Sequence, residues 1–153
     1  MLLVLAFLMG IIAGLRSMTA PAAISWGAAL GHIAVGDSWA SFLGATITPW
    51  IFTVLALGEF VTDQLPQTPS RKVPVQFGGR IVSGAFCGAV LGTAGGSLVG
   101  GLVAGALGAI IGTLGGAAAR GWLAARFHND RPAALIEDAV AIVGAALIVS
   151  AAG

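Results

Sequence analysis

The sequence predicts an all-α protein: one polytopic transmembrane bundle of about six helices, a single domain over residues 1–153. Three observations predict it. Hydrophobic residues make up 58% of the chain and charged residues only 8%, where a soluble domain carries roughly a quarter charged residues. The apolar runs are long and the polar runs between them short, and mean hydropathy is +0.99. Finally, there are 24 glycines, which would weaken a helix in water by about 1 kcal/mol each. In lipid the backbone must bond to itself, so small residues become packing surfaces instead.

The first apolar run, residues 2–15, stops at Arg16-Ser17. At 1.5 Å per residue it reaches only ~21 Å of a ~30 Å hydrocarbon core. It lacks a preceding positive charge, and Ala20-Pro21-Ala22 is a poor processing site, so it reads as a retained helix rather than a signal peptide. Thr19 is a candidate N-cap and Pro21 suits the first turn of a second short helix through about Ile33. These two helices are short enough to form a re-entrant hairpin.

Residues 32–38 are a polar linker, and residues 39–45 an interfacial turn. A third span covers residues 46–63, with Pro49 near its start and Trp50 as an interface anchor. Residues 64–79 contain Pro66, Pro69, Pro74, Arg71 and Lys72 and do not span. The fourth span runs from Arg80 to about Gly95-Gly96-Ser97, and the fifth covers residues 98–122. After a polar turn at residues 127–131, with Asn129 or Asp130 as cap, the sixth begins at Pro132 and reaches about Val149. Cap-Pro-Ala-Ala opens both the second and sixth helices, a faint echo of an internal duplication.

Charge orients this topology. With Met1 outside, the inner connections hold all seven basic residues: Arg16, Arg71, Lys72, Arg80, Arg120, Arg126 and Arg131. The positive-inside rule therefore places both termini outside the cytoplasm of a bacterial inner membrane.

Helices four and five are glycine-striped. Gly84, Gly88 and Gly92 recur every four residues, as do Gly108, Gly112 and Gly116. Residues four apart share a helix face. The expectation is two grooves that face each other, or the same grooves on a symmetry mate.

The candidate polar site consists of Glu59, Asp63, Glu137 and Asp138, with Arg16 and Arg80 among their partners and Arg120 and Arg131 also within reach at helix ends. Glu59 and Asp63 are four apart, and Glu137 lies about 8 Å past Pro132 along its helix. Carboxylates at that depth must face protein or water. Other chemistry is weakly supported. Cys87 cannot form an internal disulfide, being the only cysteine, and His32 and His128 lack further ligands at metal-binding spacing. Ser17 and Ser83 have no histidine at helical spacing, so no enzyme is expected. A net charge of +1 gives no footprint for nucleic acid.

Gly14-Leu15-Arg16-Ser17 with Pro21-Ala22, Gly58-Glu59 with Asp63, Leu65, Pro66, Pro69 and Arg71, Arg80 with Ser83-Gly84, and Arg131-Pro132-Ala133-Ala134 through Ile136-Glu137-Asp138-Ala139 form a pattern over nearly the whole chain. In these motifs the chain resembles a family of small bacterial integral membrane proteins catalogued only as a domain of unknown function. The resemblance implies a membrane location and attaches the family's signature to the polar residues. It implies no substrate.

Two functions compete. One is a transporter or channel subunit for an ion or small solute, its path built in a homo-oligomer and lined by the buried ionisable residues. The other is a structural or accessory protein packing against itself or an unknown membrane partner, with the charges as an ion-pair network. Membrane lipid is a partner in either case, and neither needs a cofactor or metal.

Overall fold

The structure, a computed structural model, describes every residue except Pro66, Thr68 and Pro69. Pro66 and Pro69, expected in the polar connection and in the family-like pattern, thus lie outside the described residues. Among those described there are six α-helices and no strand: α1 (Leu2–Leu15), α2 (Thr19–Ala29), α3 (Thr48–Asp63), α4 (Pro74–Ala94), α5 (Leu98–Phe127) and α6 (Asp130–Ala152). A short 3-10 helix, Ser41–Gly44, lies between α2 and α3.

Local chemistry sets several boundaries. Val73 is extended, as a residue before proline prefers, and Pro74 opens α4 at a position that needs no N–H. That helix therefore starts six residues before the expected Arg80. A run of alanines carries α5 past Trp122 to Phe127, where His128 adopts a left-handed conformation (φ 53°) and ends it. Asn129 caps α6 by accepting the Arg131 N–H at 3.1 Å. Conversely, α2 ends at Ala29, four residues short of Ile33.

Three helices, α4, α5 and α6, are long and apolar enough to cross a membrane. The 14, 11 and 16 residues of α1, α2 and α3 reach only ~21, ~17 and ~24 Å, short of a ~30 Å core. The outer surface is rich in large apolar side chains, including Val54, Leu57, Val82, Val99, Leu135 and Leu147. A surface of that kind suits lipid rather than water.

Contacts between the helices fix their directions. Arg16 meets Asp138 while Ile12 lies by the place a Gly144 side chain would occupy, so α1 and α6 are antiparallel. Trp26 donates to Thr53 at 2.9 Å while Glu59 meets Ser17, so α2 and α3 are antiparallel too. The α1–α2 turn, the α3–α4 connection and the α5–α6 turn all gather at one end, the charged end. The other end is covered by residues 30–47, where Trp39 donates to Thr93 at 3.0 Å and Leu43 is fully buried.

The glycines let three backbones approach. A Cβ on Gly88 would fall 2.8 Å from the Gly105 Cα, and one on Gly92 would fall 2.8 Å from the Gly101 Cα. The stripe on α4 therefore meets Gly101 and Gly105. Gly108 and Gly112 do not face it; they lie against Phe7, Gly10 and Ile11 of α1. Gly116 sits near Leu15, Arg71 and Glu137. The expectation that the two stripes face each other missed that α5 packs against two helices, each on its own row of small residues.

The Gly88→Leu variant drives four carbons into that backbone contact and should destabilise the protein by at least the ~1–3 kcal/mol typical of overpacking. Gly115, where an added Cβ would meet nothing within 4 Å, is the control: Gly115→Leu should leave thermal unfolding in detergent unchanged. Equal melting of both variants would refute the packing assignment.

Candidate functional site

At the charged end, α1 and α2 reverse direction over residues 16–18, inside the protein rather than beyond it. The reversal leaves carbonyls at the end of α1 and N–H groups at the start of α2 without helical partners. Arg80 of α4 answers the first need: its Nη1 donates to the Gly14 and Leu15 carbonyls at 2.9 and 2.8 Å. Glu59 of α3 answers the second, accepting from Ser17 N and Oγ at 2.9 and 2.8 Å and from Met18 N at 2.8 Å. Each charge sits where the helix dipole favours it, a cation at a C-terminus and an anion at an N-terminus. Arg80 Nη2 and Glu59 Oε1 are 3.7 Å apart. Ser83 Oγ donates to the Ser17 carbonyl, completing the turn.

A second arm begins at Arg16, whose side chain is fully buried. Its Nη1 lies 2.6 Å from Asp63 and its Nη2 pairs with Asp138. The guanidinium also stands 5.5 Å from the centre of the Phe60 ring. Asp63 is shared with Arg120 of α5. Arg120 in turn holds Asp130 at 2.7 Å and reaches Glu137 at 3.4 Å. Glu137 is gripped on both oxygens by Arg71, with the Nη2 bond at 2.8 Å. Four guanidiniums and five carboxylates thus line the charged end, carried by α1, α3, α4, α5 and α6 with the α3–α4 connection.

Exposure is graded through this set. The Asp130 side chain is 60% exposed, those of Asp63 and Asp138 are 15% and 13%, and Arg16 is at 0%. Glu137 is seven residues from Asp130 along α6, which places it ~10 Å deeper. Among the described residues Arg16 Nε, Arg80 Nε and the Thr19 hydroxyl are buried without a hydrogen-bond partner.

All six expected residues therefore lie at the charged end, but they divide into two arms. Glu59 and Arg80 serve the turn, whereas Asp63, Glu137, Asp138 and Arg16 belong to the network. Arg120 joins it as expected; Arg131 makes no ion pair among the described residues. Arg71 was missed. Nothing in a proline-rich connection signals that its arginine folds back under the bundle onto Glu137. Among the described residues no group of three His, Cys, Asp or Glu side chains is placed to hold a metal ion. The hydroxyls of Ser17 and Ser83 are both engaged in the turn.

Comparison with protein-family models, with curated proteins and with solved structures finds no match. The resemblance to the uncharacterised membrane family rests on the motifs alone.

Replacing Arg16 with Met strands Asp138, whose ion pair is with Arg16, while Asp63 keeps Arg120. Breaking a buried pair from one side costs roughly 3–5 kcal/mol. The Arg16→Met/Asp138→Asn double variant should regain a substantial part of that loss. Additive losses in the double-mutant cycle would show that the pair is not coupled.

Proposed function

We propose that the chain is a multi-pass protein of the bacterial cell membrane, a transporter or channel subunit for a small polar solute or ion. The charged end faces the cytoplasm and both termini lie outside. The three longer helices span outright, and α1, α2 and α3 complete a six-helix bundle where the bilayer thins around them. Support for the orientation comes from the basic residues, all seven of which lie in the connections at the charged end or within about two helical turns of them.

The observation that carries the transport reading is Arg16. A fully buried guanidinium at an interrupted helix pair, with its Nε unpartnered among the described residues, is a costly arrangement for a static staple. It suits a site that admits water or a polar guest. Interrupted helices whose ends converge on charge are how many transporters build such sites. A chain of 153 residues encloses little volume, so the complete path is assembled from several copies. Passage would run from Asp130 past Glu137 towards Arg16, in order of decreasing exposure. The family resemblance agrees with the membrane location.

A second reading has its own observation. Glu59, Asp63, Glu137 and Asp138 each face at least one guanidinium, which is what a purely structural ion-pair network requires. The Glu137→Gln variant separates the two. As a transporter it should assemble normally in liposomes and change flux or ion selectivity. As a structural network, wild type and variant alike should conduct nothing, and the variant should melt lower. The orientation has its own measurement: a cysteine at Ser70 should be labelled only from the cytoplasmic side, and a reporter after Gly153 should be active only outside.

A further inference from the structure

The turn between α1 and α2 has the donors of an anion site, and its occupant is tethered. Glu59 Oε1 accepts from Ser17 N and Oγ at 2.9 and 2.8 Å, and Oε2 accepts from Met18 N at 2.8 Å. Arg80, only 3% exposed, faces the same carboxylate and spends one nitrogen, Nη1, on the Gly14 and Leu15 carbonyls. Its Nη2 is 3.7 Å from Glu59 Oε1, beyond hydrogen-bond length. Its Nε has no hydrogen-bond partner among the described residues. Nε and Nη2 share one edge of the guanidinium, a fork that takes an oxyanion by two parallel bonds. We propose that this turn is a binding site for a small, planar, singly charged oxyanion, a carboxylate such as formate or its trigonal relative nitrate, which exchanges with the Glu59 side chain.

Three features select that guest. The first is the unspent fork. Glu59 is tied to α3 and stops about 1 Å short of a hydrogen bond to Nη2. A free anion on the same Ser17 and Met18 donors has no tether and can close on Arg80. The second is charge. Arg16, Arg71, Arg80 and Arg120 are matched by Glu59, Asp63, Glu137 and Asp138, whose side chains are all 15% exposed or less. A guest of single charge, taken in exchange for Glu59, keeps that balance. A divalent one leaves a surplus where unpaired charge is expensive. The third feature is that Glu59 can leave. Between its ends α3 buries only Pro49 and Ala56, and a Cβ added at the neighbouring Gly58 would meet nothing within 4 Å. The Glu59 side chain, 14% exposed, can therefore give way without unpacking the core.

The inference rests on the transport reading only for where the anion goes next; binding is measured without flux. The test uses the purified full chain in detergent, melted at fixed ionic strength while chloride is replaced by formate, nitrate or sulfate. A ligand of the folded state raises the melting temperature with its concentration. The uncharged amide of Glu59→Gln can offer an oxygen to Ser17 or to Met18 but not to both. In that variant formate and nitrate should bind with an apparent Kd at least about tenfold below that of wild type, because a tethered competitor is gone. Adding Ser17→Ala should raise that Kd about tenfold, the effect of one hydrogen bond to a charged group. Sulfate should do no more than chloride. If Glu59→Gln does not fold in chloride, it should fold with formate present throughout purification. Equal responses of wild type and Glu59→Gln would overturn the proposal. So would binding that survives Ser17→Ala unchanged, sulfate matching formate, or a Glu59→Gln protein that neither folds nor responds in formate. Formate binding without formate flux in liposomes would keep the site and count against the transport reading. Flux of another ion through a protein that binds no formate would do the reverse.

Discussion

Reversing a helix inside a protein that has lipid for its surroundings leaves backbone groups that no water will satisfy, and the α1–α2 turn is such a reversal. Its carbonyls and N–H groups must be met by side chains brought from elsewhere. Arg80 and Glu59 meet them from α4 and α3. The consequence is architectural. Between its ends α3 buries only Pro49 and Ala56, so packing alone would hold it loosely. It is fixed at one end by Trp26, against Thr53 and the Trp50 ring at 5.1 Å, and at the other by Glu59 and Asp63. A single polar turn thus decides where a whole helix stands.

The turn can sit so deep because α1 lies almost in backbone contact with α5. Gly10 and Gly14 on one side, and Gly108 and Gly112 on the other, leave no side-chain layer between the two axes. The same α5 accepts α4 on Gly101 and Gly105. Three helices drawn this close bring Leu15, Gly116 and Glu137 to one level, which is why Arg16, emerging one residue later, points into protein. The glycines and the ion pairs are therefore one design: without close approach, the guanidinium would lose the burial that brings it to Asp63 and Asp138.

Much of this was legible in the sequence because its signals are local or additive. Helix number, order and the helix breaks follow from apolar runs punctuated by Arg16-Ser17, the prolines and Asn129-Asp130. The one-sided charge distribution follows from counting. Glu59, Asp63, Glu137, Asp138, Arg16 and Arg80 could be singled out because a charge within an apolar helix is conspicuous. Partnership is another matter. Helical spacing places Glu59 and Asp63 on one face, yet Glu59 bonds the turn while Asp63 bonds Arg16 and Arg120. The difference is one helical turn of depth, and depth depends on how far α3 slides along α2. Spacing likewise shows that α5 has a stripe of glycines but not that it has two usable faces. Arg71 reads as an ordinary loop cation, since only the folded path of its connection brings it to Glu137.

An apolar groove of about 400 Å³ between α2, α3 and α6 is separated from the ionic network by a single side chain. Phe60 lines the groove with its ring while that ring also stands 5.5 Å from the Arg16 guanidinium. Thr19, which lines the groove, comes two residues after Ser17, whose N–H and hydroxyl Glu59 holds. Asp138 precedes Ile142, another groove residue, by one turn of α6. The same aromatic ring and the same stretch of α6 thus serve both the groove and the ion pairs.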